Sequence, residues 1–269
     1  MKSLPPPPDA EKIVSSFRVW YATAIIDNQI QSVRKAGKIG NYSINPFMAP
    51  LVYAFFTAIE GGDGAPRQVS EGIASALVYQ KIVGTSLSTS MGTLFQQFIA
   101  AELEKCGRGG PSVTSGMDLE FYVQDGAEVR RKYLQLKLGP QTINSGDVKS
   151  IVDDFVAVRN LARTNDMKVR SDDFYVGVIY GSPDDLSANY KKITNQYGYP
   201  VLIGADLWTA LFGIPDLYSK LVKAAAEVAG SQTGAGELYR ESSKSIKTLS
   251  ASGEVKEIAG LIEKVKPVS

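Results

Sequence analysis

The chain has 269 residues, 44% of them hydrophobic, with 29 basic and 28 acidic side chains and a formal net charge of +1. That apolar share supports a buried core in one large domain or two small ones, while the near-zero charge excludes a globally basic nucleic-acid footprint; such a surface would have to be assembled locally by folding. Histidine is absent and Cys106 is the single cysteine. This excludes Ser-His and Cys-His nucleophiles, imidazole zinc sites and internal disulfides, and leaves carboxylates, lysine, tyrosine or a metal as the means of any hydrolysis.

The N-terminus has no apolar core of signal-peptide length, and no segment approaches the roughly 20 apolar residues needed to cross a bilayer. A soluble, cytoplasmic protein is expected. Pro5 to Pro8 predict a short polyproline lead, and Asp9 is placed to cap the helix that follows. Ile13, Val14, Phe17, Trp20, Tyr21, Ala24 and Ile25 keep three-and-four spacing, which predicts one amphipathic helix to about Lys35. Asn41 to Phe47 reads as a loop, and an apolar helix then runs to about Ile59, where Gly61 to Gly64 breaks it. Two further helices are predicted over Pro66 to Val83 and Thr93 to Lys105, so the first hundred residues are almost wholly helical. Cys106 sits at the end of the last of these as a small buried hydrophobe, and Gly107 to Gly110 is a helix-terminating turn lacking the Lys-Ser/Thr of a phosphate loop.

From Met117 to Leu138 two alternating arms flank Asp125-Gly126, the pattern of a β-hairpin. Side chains two apart on a strand share a face, so Gln135 and Lys137 project together, and pairing of the arms brings Asp118 near them. An acidic residue, an oxygen-bearing residue and a lysine converging at strand ends are what metal-assisted phosphodiester hydrolysis needs. Beyond Gly139-Pro140, Ser145 or Asp147 can cap a helix carrying Val148, Ile151, Val152, Phe155, Val158 and Leu161 at helical period. Phe174 to Tyr180 reads as a strand buried on both faces, Gly181 to Asp184 as a turn, and Val201 to Ile203 as a shorter strand. The stretch from Tyr190 to Ile193 has no clear assignment. Helices are predicted over Ala205 to Phe212, Pro215 to Ala229 and Gly236 to Val265, with a surface loop at Gly230 to Gly236. The order describes an α/β protein with a mixed central sheet, a large helical N-terminal part (1–110), a core (111–212) and C-terminal helices (213–269), expected to form one compact domain.

Asp118 followed by Gln135-Leu136-Lys137 and a helix resembles the core of the PD-(D/E)XK nucleases, and more closely the type II restriction endonucleases. Ser43 to Phe47, Gly139 to Asn144 and Tyr175 to Gly181 are similar to the branch that cuts interrupted GG…CC palindromes (RGGNCCY or GGNCC type). Over residues 40–205 the resemblance implies a restriction-endonuclease-like core and Mg²⁺-dependent hydrolysis of double-stranded DNA to 5′-phosphate and 3′-hydroxyl ends. It implies catalytic roles for Asp118, Gln135 and Lys137, and metal contacts from Asp118, Gln135 and the Leu136 carbonyl. One departure stands out. Gln135 occupies a position where the family carries Asp or Glu; an amide oxygen can bind a hard cation but brings no charge. Glu102 on the preceding helix, or Glu120 two residues beyond Asp118, is the expected compensating acid, and Glu at position 135 is expected to be tolerated.

For DNA, Arg159 and Arg163 lie one helical turn apart and, with Lys149 and Arg170, can follow phosphates. The loops holding Asn45 and Asn144 offer side chains able to read base edges. Arg130 to Lys132 read as solvated hairpin charges. A palindrome implies a homodimer, with the 1–110 helices as candidate interface or DNA contact, and a restriction activity implies a cognate methyltransferase. Two other readings are open: a nuclease-fold DNA-binding protein whose catalysis has lapsed, and a helical scaffold without a nucleic-acid role. The faint GIY-YIG echo at Val178 to Gly181 lacks its partner tyrosine strand and is read as core.

Overall fold

In a computed structural model, residues 3–36, 69–79, 88–164, 169–230 and 234–265 are described. The loop expected at Asn41 to Phe47, the helix to Ile59 and the glycine break lie outside them. The chain divides into two compact units, Met1–Trp20 with Met91–Ala226, and Tyr21–Ser90 with Glu227–Ser269.

The first unit is built on a five-stranded mixed sheet in sequential order. The strands are β1 (Gly109–Pro111), β2 (Leu119–Asp125), β3 (Glu128–Lys137), β4 (Phe174–Val178) and β5 (Val201–Ile203). β1, β2 and β3 pair antiparallel, with Leu119 opposite Leu134 and Asp125 opposite Glu128, so the hairpin turn is Gly126-Ala127, one residue beyond the expected Asp125-Gly126. β3, β4 and β5 pair parallel. Parallel neighbours require crossovers, and helices supply them: α5 (Ser145–Thr164) after β3 and α6 (Ala188–Tyr197) after β4. The segment around Tyr190 to Ile193, which periodicity does not assign, is therefore the middle of a crossover helix.

Alternation along the strands sorts the core into two layers. Tyr133, Phe174, Val176, Val178 and Ile203 join Ile151, Phe155 and Val158 of α5 and Tyr190 and Ile193 of α6 on one face. On the other, Leu134 and the residue that follows Val176 meet α7 (Ala205–Phe212): a Cβ at Gly177 would lie 2.9 Å from Leu207 Cδ1 and 3.0 Å from Leu134 Cδ1, so glycine is what lets that helix seat. Trp208 Nε1 donates to the Ile179 carbonyl at 3.0 Å, which fixes α7 beyond the end of β4. At the hairpin, Asp173 is 2% exposed and pairs with Arg130 and, at 3.0 Å, with Lys132 Nζ. Two of the charges expected to be solvated, Arg130 and Lys132, thus form a buried network, because β3 is an inner strand and its neighbour brings an acid to meet them, while Arg131 is exposed and pairs with Glu120.

α1 (Ala10–Trp20) begins where expected, Asp9 Oδ1 accepting the Glu11 N–H at 2.9 Å. Its Phe17 and Trp20 pack on Phe95 and Phe98 of α4 (Ser88–Lys105). Cys106 follows α4 half-buried rather than buried, with Sγ 3.4 Å from the Leu103 carbonyl, and this partial burial pushes its thiol pKa up.

The second unit is helical among the described residues. Instead of one helix to Lys35, a π-helical stretch (Tyr21–Asp27) separates α1 from α2 (Asn28–Ala36), a local widening that apolar periodicity does not register. α3 (Val69–Tyr79) lies within the helix predicted from Pro66. It packs through Ile73 on Val255 and Ala259, and through Ala74 and Val78 on Leu249. The long C-terminal helix expected over Gly236 to Val265 is two, α9 (Gly234–Ser250) and α10 (Gly253–Val265), because Ser252 Oγ accepts the Val255 N–H at 3.3 Å and restarts the helix. α8 (Leu217–Ala229), which starts two residues after Pro215 and belongs to the first unit as far as Ala226, precedes them in the chain. No helix among the described residues is long and apolar enough to cross a membrane.

Candidate active site

The strand ends and the first turns of α5 enclose a cleft of about 240 Å³ lined by Gly116, Met117, Asp118, Gln135, Lys137, Asp147, Ser150, Ile151 and Asp154. Strand alternation turns Gln135 and Lys137 to the α5 side of β3, and Asp118 stands just ahead of β2 on the neighbouring strand. α5 presents its residues at helical spacing, 147, 150, 151 and 154, as one stripe. Its start is fixed by a reciprocal cap: Asn144 Oδ1 accepts the N–H groups of Gly146 (2.7 Å) and Asp147 (3.1 Å), while Asp147 Oδ2 accepts the Asn144 N–H at 2.8 Å. The cap is therefore Asn144, one residue ahead of the expected Ser145, and Asp147 closes the box.

Within the cleft Asp118, Gln135 and Asp154 each have one polar atom committed. Asp118 Oδ2 accepts the Leu136 N–H at 2.6 Å. Gln135 Nε2 donates to the Gly116 carbonyl at 2.6 Å and to Asp154 Oδ2 at 2.8 Å. Gly116 takes φ +81°, and a Cβ there would lie 3.0 Å from Asp154 Cγ, so glycine gives both the left-handed turn and the room for that carboxylate. Burial raises the Asp118 pKa and the nearby Asp154 adds to the rise, while the Leu136 N–H and the Lys137 charge oppose it. A carboxyl so placed gains from any cation brought to the cleft.

Residues 68–232 match the family described as type II restriction endonuclease EcoO109I, more than half of the chain. The chain belongs to this family. No curated protein matches it. Its α/β architecture, with a mixed sheet between helices, is the restriction-endonuclease-like fold expected from the hairpin and crossover pattern. As a type II restriction endonuclease it is a site-specific nuclease, and double-stranded DNA is its substrate.

In this endonuclease the structure brings together Asp118, Gln135 and Lys137, as the hairpin predicts, and adds Asp154. Strand pattern does not point to Asp154, although a signal exists: two acids seven residues apart, Asp147 and Asp154, define a stripe on the helix that follows Lys137. Glu102 does not line the cleft; it is 6% exposed on α4 and accepts a hydrogen bond from Lys105 Nζ at 2.6 Å. Glu120 is engaged elsewhere, by Ser112 Oγ at 2.8 Å, Thr114 Oγ1 at 3.2 Å and Arg131 at 3.3 Å. Against the expected tolerance of Glu at position 135 stands the present hydrogen bonding, since a carboxylate there would set acceptors against the Gly116 carbonyl and Asp154 where the amide now donates. Among the described residues no three His, Cys, Asp or Glu side chains gather as a metal-holding group.

Of the DNA-contact candidates, Lys149 and Arg163 are exposed on α5, and Arg159 is half-buried with Nη1 3.5 Å from the Tyr199 hydroxyl. Asn144 is occupied by its cap. Asn45 lies outside the described residues.

Proposed function

We propose that this endonuclease is Mg²⁺-dependent and cuts within a short GC-rich palindrome of the interrupted GG…CC type, leaving 5′-phosphate and 3′-hydroxyl ends. The observation that carries the reading is the convergence of Asp118, Gln135 and Lys137 on one cleft at the strand ends. The donors suit a hard cation. Asp118 and Gln135 each keep a side-chain oxygen that accepts no hydrogen bond from a described residue, the Leu136 carbonyl is a third candidate, and Mg²⁺ needs few protein oxygens because it retains waters. Such an ion supplies positive charge opposite the scissile phosphate and eases deprotonation of the attacking water.

The chain's own groups do the rest. The Leu136 N–H holds the Asp118 carboxylate against β3, and Gln135 is oriented by Gly116 and Asp154. Lys137 offers its ammonium to the attacking water and to charge developing on the phosphate. Lys149, Arg159 and Arg163 contact phosphates along the duplex. The working form is a homodimer matching the two-fold symmetry of its site, with residues 1–110 as the candidate interface or DNA contact, 111–212 as the catalytic core and a cognate methyltransferase as functional partner in the cytoplasm. Gln135 also favours a second reading, a DNA-binding member of the family with lapsed catalysis. Digestion of unmethylated genomic DNA with and without Mg²⁺, with the fragment ends sequenced, separates the two. Metal-dependent cuts at one palindrome are expected; specific binding without cleavage would establish the lapsed enzyme instead.

A further inference from the structure

We propose that Asp154 supplies the anionic metal ligand that position 135 lacks, so that the charge usually carried by the strand has moved to α5 and Gln135 serves as its neutral partner. This rests on the Mg²⁺ reading above. The amide of Gln135 has two N–H donors facing two acceptors, the Gly116 carbonyl at 2.6 Å and Asp154 Oδ2 at 2.8 Å. The reverse orientation would press Oε1 against both, so the amide is fixed with Oε1 as the atom left for an ion. Asp154 commits Oδ2 to that bond and keeps Oδ1; Asp118 commits Oδ2 to the Leu136 N–H and likewise keeps Oδ1.

Three residues lining one cleft thus each hold one polar atom in protein hydrogen bonds and keep an oxygen that accepts none from a described residue. Two of the three bring a negative charge, the same number as an Asp and Glu pair on the strands. Gln135 is 6% exposed, which makes an isolated role as a solvated surface amide untenable. With Asp118, Asp147 and Asp154 already lining the cleft, Gln at 135 spares it a fourth carboxylate.

The exchange can be tested by calorimetric titration of Mn²⁺ or Mg²⁺ into the full chain without DNA, alongside thermal unfolding with and without the ion. Asp154→Asn keeps an acceptor for Gln135 Nε2 and removes only the charge; its metal affinity is expected to fall by about 10–100-fold, and its stabilisation by the ion to shrink with it. Gln135→Glu alone is expected to unfold at a lower temperature in the metal-free state. Gln135→Glu combined with Asp154→Asn returns a carboxylate to the strand and an amide to the helix, and is expected to recover both metal affinity and metal-free stability. Wild-type affinity in Asp154→Asn, or a double variant no better than the worse single one, overturns the inference. A wild-type chain that binds neither ion overturns the Mg²⁺ reading, and the inference with it.

Discussion

Asp118 Oδ2 accepts the backbone N–H of Leu136 at 2.6 Å, which locks the carboxylate ahead of β2 to the strand that carries Gln135 and Lys137. Burial is the largest influence on Asp118 and raises its pKa. A carboxyl whose pKa is raised by folding contributes its full stability below its unfolded value, near 4, and loses it as the pH climbs through the raised one. At neutral pH the metal-free fold therefore bears a cost for the ionised group. Asp118→Asn still accepts the Leu136 N–H, and it is expected to melt higher than the wild type at pH 7 in the absence of metal. The gap should close on acidification below about pH 4, and DNA cleavage should be lost throughout. A lower melting temperature for the variant at pH 7 would show that the hydrogen bond outweighs the charge cost.

Lys137 carries the second prediction. Its side chain lines the cleft at the end of β3, and its backbone carbonyl accepts the Ile179 N–H at 3.0 Å, so the strand end stays in place without the ammonium. Lys137→Ala is expected to slow cleavage by about 100-fold or more, the usual loss when a preorganised charge at a reacting phosphate is removed. Specific duplex binding should be largely retained. Measuring cleavage and binding on the same oligonucleotide checks both, and wild-type cutting by the variant would refute the role given to Lys137.

What the sequence makes legible here is what a period of two can carry. Alternation places Gln135 and Lys137 on one face, as in the structure, and Asp125-Gly126 marks the hairpin, whose turn falls one residue on at Gly126-Ala127. The break between α9 and α10 is hidden because Ala251-Ser252-Gly253 sits inside an otherwise helical pattern, and only the Ser252 cap reveals it. The π-helical stretch is hidden for a related reason: Tyr21, Ala24 and Ile25 keep an apolar spacing that does not distinguish a widened turn from an ordinary one. Asp154 is hidden because a compensating acid is naturally sought on elements before and beside Asp118, at Glu102 and Glu120. Strand logic says which side chains share a face, but it does not say which helix covers that face. The buried fate of Arg130 and Lys132 has the same origin, since it depends on β4 arriving beside β3 with Asp173 just ahead of it.

That last network gives a stability prediction. Burial works against the Asp173 charge, but the Arg170 backbone N–H and the Lys132 and Arg130 side chains outweigh it and hold the carboxyl below the usual range. A depressed carboxyl pKa contributes stability that is present above the unfolded value and is lost as the pH falls through the folded one. The network should therefore weaken only in strong acid. Asp173→Ala leaves Lys132, itself 6% exposed, and Arg130 without this buried counter-charge, and is expected to cost about 3–5 kcal/mol of unfolding free energy. Urea unfolding at pH 7 measures it. A loss under about 1 kcal/mol would mean that solvent already screens the pair as it does at a surface.

The final prediction concerns the duplex. Lys149 and Arg163 are exposed on α5, the helix whose first turns line the cleft, and neither makes an ion pair with a described residue. Charges so placed suit phosphates better than base edges, because a phosphate partner needs reach and sign rather than a matched pattern of donors. Replacing either by Ala is expected to weaken cognate and unrelated duplexes by a similar factor and to lower the salt slope of binding by about 0.9 for each phosphate that is no longer neutralised. Arg159 should behave differently. Its guanidinium lies 3.5 Å from the Tyr199 hydroxyl, so Arg159→Ala removes packing along with a charge, and a fall in thermal stability should accompany any weakening of binding. Binding isotherms across a salt series, on cognate and scrambled duplexes, distinguish the two behaviours; a weakening confined to the cognate sequence would make Lys149 or Arg163 a base-reading residue instead.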